Sequence, residues 1–136
     1  MAKVQVLAVL SLDGCLSEKT GDACWALRPE SYGIDKLFDA ADYELTPLYP
    51  TSRLTENKSD SIFLIEATED NADYINGLMR LQLIDEIILY IVPFIAGTGR
   101  QLFKSNLPTS HWKVTEKKGY ECGVLRVVYR KMYINE

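Results

Sequence analysis

Two β-rich apolar runs, Ile62-Phe63-Leu64-Ile65 and Ile87 to Phe94, flank a helix-periodic segment, and this spacing limits the folds open to the chain. Within residues 70–83, Tyr74, Ile75, Leu78, Met79 and Leu81 share one helical face, with Asp70 or Asn71 placed to cap it. Only three residues separate that helix from the second run. Strand, helix and strand at this distance make a βαβ unit, whose strands lie parallel and whose crossover is right-handed. The fold class this predicts is α/β.

The flanking segments extend the same architecture. Val4, Val6, Ala8 and Leu10 alternate with Lys3, Gln5, Leu7 and Val9, the pattern of a strand over residues 2–11 that is largely buried on both faces. Ile34, Leu37, Phe38 and Ala41 recur at helical spacing and predict a helix over 31–43, with Ser31 as a cap. Residues 46–61 are rich in Pro, Ser, Thr and Asn; a weak strand around 44–49 followed by loop is expected there. Near the end, Trp112, Val114 and Glu116 alternate with Lys113, Thr115 and Lys117, and after Lys118-Gly119 the run Val124 to Arg130 follows. That pattern predicts an antiparallel C-terminal hairpin closing a mostly parallel, mixed sheet. No repeat, low-complexity tract or linker divides residues 1–136, so a single domain is expected.

Charge and hydropathy remove several function classes. The 136 residues carry 15 Lys+Arg against 19 Asp+Glu, a net charge of -4, and no basic stripe interleaved with aromatics. The electrostatic term that dominates nucleic-acid affinity is missing. The longest apolar run, Ile87 to Ala96, contains Pro93 and falls far short of the roughly 20 residues of a membrane span. The N-terminus has no signal-peptide pattern and Cys15, Cys24 and Cys122 form no CxxC pair, so a reducing cytoplasm is expected. His111 has no Cys or second His at ligand spacing, which argues against a metal. From Ser11 to Gly33 neither period is visible, and a loop of this length is the first place to seek a site.

Three stretches carry a resemblance. Val9-Leu10-Ser11-Leu12-Asp13-Gly14 resembles the signature after the first strand in the C-terminal reductase domain of the riboflavin-biosynthesis deaminase/reductase. Ile65-Glu66 before a helix, Ile84-Asp85-Glu86-Ile87, and Ile91 through Gly97-Thr98-Gly99-Arg100 to Leu102-Phe103 are similar to that family's later half, as is the terminal Val-Val-Tyr. The resemblance covers residues 1–20 and 60–131, in a shortened form. It implies the dihydrofolate-reductase-like fold and NADPH-dependent reduction of the ribose in a phosphoribosylamino-pyrimidine. Two departures bear on the cofactor. Where the family follows its Glu with two glycines this chain has Ala67-Thr68, and the next helix opens with Glu69, Asp70 and Asp73, with no Lys or Arg between Ser59 and Met79. Carboxylates at a helix N-terminus oppose a phosphate there. NADPH binding no tighter than millimolar is therefore expected. The rival reading is a non-catalytic homodimeric binding or structural protein that kept the fold and lost the cofactor loops.

The candidate site residues follow from position and resemblance together. Asp13 and Glu66 each close a strand at the edge where open α/β sheets bind ligands, and are the candidate catalytic residues. Asp13 would hold sugar hydroxyls; the alternative is an Asx-turn before Gly14. Glu66 would position substrate or cofactor; the alternative is that it extends the acidic cluster of the next helix. Arg100 could neutralise a substrate phosphate and Trp25 could roof the pocket, against the readings of an exposed Arg after a tight turn and a loop anchor. Ala67, Thr68, Gly97 and Gly99 are the candidate cofactor contacts. Cys15 reads as an inert thiol. Val124, Val128 and Met132 on one face, and Leu125, Val127, Tyr129 and Tyr133 on the other, leave apolar surface that a homodimer through the C-terminal strands would cover.

Overall fold

The structure is a computed structural model that describes residues 2–16, 27–56, 60–104 and 106–133. Its framework is one six-stranded sheet: β1 (Lys3–Leu10), β2 (Tyr43–Glu44), β3 (Ile62–Glu66), β4 (Glu86–Ile91), β5 (His111–Gly119) and β6 (Leu125–Met132), in the order β2-β3-β1-β4-β6-β5. The first four strands in that order are parallel, and β6 and β5 complete the sheet antiparallel. The mixed α/β architecture expected from the sequence is present.

The helices are α1 (Pro29–Tyr32), α2 (Ile34–Ala40), α3 (Thr51–Glu56) and α4 (Ala72–Arg80). Moving from β1 outward to β2 and back through β3 to β4 with right-handed crossovers puts the first and second helices on one face and the third and fourth on the other. The packing follows that rule. Val4, Val6, Ala8 and Leu10 of β1 join Phe63, Ile65 and Ile87 beneath Leu54, Ala72, Ile75 and Leu78. Leu7, Leu64, Ile88 and Tyr90 face the other way, against Ile34, Tyr32 and Phe38. Period-2 strands buried on both faces are what a central parallel strand requires.

Several elements differ from their expected bounds. The helix over 31–43 is two pieces, because Gly33 sits at φ 76° and ends α1 before α2 begins. The strand over 44–49 shrinks to Tyr43–Glu44, since Pro47 and Pro50 cannot donate to a ladder. α3, expected as loop, forms after Pro50 and buries Leu54. Helix 70–83 is confined to Ala72–Arg80; Asn71 occupies the N-cap position without a side-chain cap hydrogen bond, and Thr68 holds the turn by accepting from Asn71 N–H at 3.2 Å. The strand expected to reach Phe94 leaves the sheet after Ile91. The C-terminal hairpin is present, with a bulge between Val114 and Glu116.

The hairpin exposes less apolar surface than its sequence suggests. Val124, Val127 and Val128 are buried within the protomer, and Val114, Leu125 and Tyr133 remain exposed. No helix among the described residues is long and apolar enough to cross a membrane.

Candidate functional site

At the C-terminal edge of the parallel strands three loops meet. They follow β1 (residues 11–16), β3 (67–71) and β4 (92–104). Because β1 and β3 are adjacent and parallel, with Leu7 opposite Glu66, Asp13 and Glu66 both stand at this edge. β1 runs on to Leu10 and then laces onto the loop after β4: Leu12 N–H donates to Phe94 C=O at 2.8 Å, and Leu16 N–H to Arg100 C=O at 2.8 Å.

Asp13 is the knot of that lacing. Its carboxylate accepts from the Ser11 hydroxyl, from Ala96 N–H at 3.1 Å and from Gly97 N–H at 2.9 Å. The Ser11 hydroxyl bond and the two amides hold its pKa down to about 2. Gly97 and Gly99 adopt positive φ, as a turn that offers its amides to an anion does. The anion in that turn is Asp13 itself. Two groups marked separately in the sequence, a catalytic carboxylate and a phosphate-cradling glycine turn, thus satisfy each other. At Gly99 it is the φ of 150° that disfavours a side chain, since a Cβ there would make only ordinary contact, at 3.5 Å, with Cβ of the buried Cys15.

Glu66 is in a different situation. Among the described residues no hydrogen bond ties its carboxylate, and partial desolvation, with Glu44 of β2 beside it, raises its pKa. The residue is exposed overall, so the carboxyl reaches solvent while keeping its proton to higher pH than an ordinary carboxylate. Its main-chain carbonyl accepts from the Asn71 side chain at 3.0 Å, which fixes the turn into α4. The adjoining Ala67 N–H donates to Leu7 C=O at 2.7 Å and Thr68 Oγ1 accepts from Asn71 N–H, so these two candidate cofactor contacts are engaged within the chain.

Arg100 does not stand free after the turn. Its guanidinium reaches the first turn of α4, donating to Asp73 Oδ1 at 2.7 Å and to Glu69 C=O at 3.3 Å. Lys104 pairs with the same Asp73 carboxylate. The Lys104 hydrogen bond and charge, then Arg100, hold the Asp73 pKa below its ordinary value. The absence of nearby cations inferred from residues 59–79 is therefore a property of the sequence alone: the loop after β4 carries two cations to α4.

Asn76 makes that delivery possible. It is 1% exposed on α4, and its amide donates to Leu102 C=O at 2.8 Å and Ala72 C=O at 2.7 Å while accepting from Lys104 N–H at 3.0 Å. Sequence reasoning missed it, although a polar residue beside Ile75 on the apolar stripe was a visible signal. Lys104 and Glu44 had none, since their roles arise only from distant pairing. Trp25 lies outside the described residues. His111 is exposed at the start of β5, and the described residues hold no cluster of metal-ligating side chains.

With this geometry the chain superposes on solved structures along nearly its whole length. A riboflavin-biosynthesis protein from Shewanella sp. PV-4 matches with a TM-score of 0.68 and 15% identity over 96% of this chain and 99% of the other. A deaminase/5-amino-6-(5-phosphoribosylamino)uracil reductase from Thermotoga maritima gives 0.64 and 12% identity over 96% of this chain, which spans 56% of that enzyme. Dihydrofolate reductase from Enterococcus faecalis, complexed with NADP(H), gives 0.63 and 12% identity, covering 96% of this chain and 97% of the other. The fold is dihydrofolate-reductase-like. At the level of sequence, no protein-family model and no curated protein matches the chain. Within the dihydrofolate-reductase-like fold, Ile84-Asp85-Glu86 lies at the opposite sheet edge from the site. There the Asp85 carboxylate accepts from Val4 N–H at 2.8 Å and stitches β1 to the start of β4.

Proposed function

We propose that the chain is an NADPH-dependent reductase similar to the riboflavin-pathway 5-amino-6-(phosphoribosylamino)uracil reductases, with the cofactor seated at the C-terminal sheet edge. The observation that carries this reading is the convergence of Arg100 and Lys104 on the first turn of α4. A helix N-terminus flanked by two cations suits the diphosphate of a dinucleotide. Both side chains are partly exposed, so they can turn from Asp73 to a bound anion. Bound NADPH would supply the hydride. The chain's own part is to align the acceptor carbon and to deliver a proton, and Glu66, with its raised pKa, suits that second task. The exposed thiol of Cys122 suits a reducing compartment, and the proposal includes a cytoplasmic location.

Titration of the purified chain with NADPH tests the reading. Because Asp73 is neutralised, the expected dissociation constant lies between about 1 μM and 1 mM, tighter than the sequence alone suggests. Glu66→Gln should leave that affinity unchanged and lower turnover by about a hundredfold, as removal of a general acid does. No binding at millimolar NADPH would overturn the proposal. It would favour the second reading, a non-catalytic binding protein, whose support is that Ala67, Ala96 and Gly97 amides are all spent within the chain.

A further inference from the structure

Lys131 of β6 is 7% exposed, and a lysine buried to that degree is ordinarily paired with a carboxylate. Among the described residues it has no such partner. Its ammonium donates to Gln82 Oε1 at 3.3 Å and lies over the Tyr133 ring at 5.8 Å, so one of its three N–H groups meets an oxygen among the described residues. The Asp85 carboxylate is committed elsewhere. It accepts from Val4 N–H at 2.8 Å and from the Tyr133 hydroxyl at 3.2 Å, while its main-chain carbonyl accepts from Lys131 N–H at 2.9 Å. Gln82 reaches the ammonium from the turn after α4, where it sits at φ 57°, a left-handed conformation that residues other than glycine rarely adopt.

Beside the ammonium lies a slot of about 10 Å³, bounded by Gln82, Thr109, Ser110, Trp112 and Lys131 over the apolar Ile84. That is room for one water-sized body, too little for a phosphate or a carboxylate. Its rim is exposed at Gln82, Thr109 and Ser110, so the walls can give slightly. Trp112 Nε1 donates to Ser110 Oγ at 2.8 Å, which leaves the Ser110 hydroxyl its own proton to donate, and the Thr109 hydroxyl stands on the same rim. A buried cation, two hydroxyl donors and space for a single atom suit a monatomic anion.

We propose that this slot binds a chloride ion, held by the Lys131 ammonium and the hydroxyls of Thr109 and Ser110. The bound ion supplies the counter-charge that the described carboxylates do not, and ties the loop before β5 to the turn after α4 and to β6. The slot adjoins Asp85 at the opposite sheet edge from Asp13 and Glu66, and it does not depend on the reductase reading.

Thermal unfolding of the full chain in sodium chloride tests it, with sodium gluconate, whose anion exceeds the slot, replacing chloride so that ionic strength stays constant. The midpoint should rise with chloride and saturate, with a dissociation constant below about 50 mM, and the NMR line of chloride should broaden when protein is added. Lys131→Met keeps the apolar stem of the side chain and removes its charge, so it should abolish both effects. Thr109→Val/Ser110→Ala alters only exposed residues; it should fold normally and weaken chloride at least about fivefold, and it carries the test if Lys131→Met does not fold. A midpoint that is the same in chloride and gluconate would overturn the proposal. So would a chloride response retained by Lys131→Met, or chloride affinity unchanged in the hydroxyl double variant.

Discussion

Asp13 and Glu66 stand at one sheet edge with opposite electrostatic histories. Asp13 is held ionised by the Ser11 hydroxyl and two loop amides, whereas Glu66 lacks such donors and faces Glu44. Asp13→Ala should therefore act first on stability, by releasing the loop after β4 from the loop after β1. The pH dependence has a defined sign. A carboxylate whose folded pKa is depressed contributes stability above its unfolded value, and loses it as protonation proceeds in the folded state. The gap in denaturation midpoint between wild type and Asp13→Ala should be full above the ordinary pKa of 3.8 and close as pH falls towards about 2. A gap that stays constant across that window would show that the three hydrogen bonds do not hold the turn. Sequence placed Asp13 at a functional edge and offered an Asx-turn as its alternative. The structure places Asp13 at that edge, and in place of an Asx-turn its carboxylate takes amides from residues 96 and 97, a separation that local turn chemistry does not reach.

Among the elements, legibility tracked how much of the signal was local. β1, β3, α4 and the hairpin announced themselves through local patterning; β1 is buried on both faces and α4 buries Ile75 and Leu78 of its predicted stripe, while Leu81 beyond its end and most of β5 stay exposed. The region from Ser31 to Glu56 did not, because a single glycine divides its helix and two prolines shorten its strand. α4 shows the limit from another side. Its apolar stripe was readable, but Asn76 within that stripe ties the helix to the loop carrying Arg100 and Lys104, a contact that no helical spacing encodes. Asn76→Ala would orphan the buried Leu102 C=O and the part-buried Lys104 N–H, at a cost of about 1–3 kcal/mol. The same variant should lower NADPH affinity, since both cations would lose their anchorage. Chemical denaturation together with the NADPH titration checks both effects. Lost stability with unchanged affinity would separate Asn76 from the placement of Arg100.

For the molecule as a whole, the open question with structural content is assembly. β5 is the longer of the sheet's two edge strands, a position where a second chain could add a strand. Its sequence opposes that: Lys113, Lys117 and Lys118 line it and a bulge interrupts it between Val114 and Glu116, devices that blunt an edge against pairing. Two of the residues first marked for the interface have also been drawn inward: Val127 is buried opposite Leu89 of β4, and Val128 packs on the α2 side. What remains is a strip where Val114, half exposed, stands opposite the partly buried Tyr129 and next to Trp112. α4 packs over the centre of the sheet and leaves this outer strip uncovered. We propose that the homodimer forms by packing two such faces, not by joining two edges. Light scattering at micromolar concentration should then give twice the 15.4 kDa of one chain, and Val114→Glu should return it to a monomer without unfolding it. The exposed charge on β5 makes no pairing in this arrangement, so raising salt should leave the dimer intact. A wild-type mass near 15.4 kDa would reject the interface, and a dimer that survives Val114→Glu would move it elsewhere on the surface.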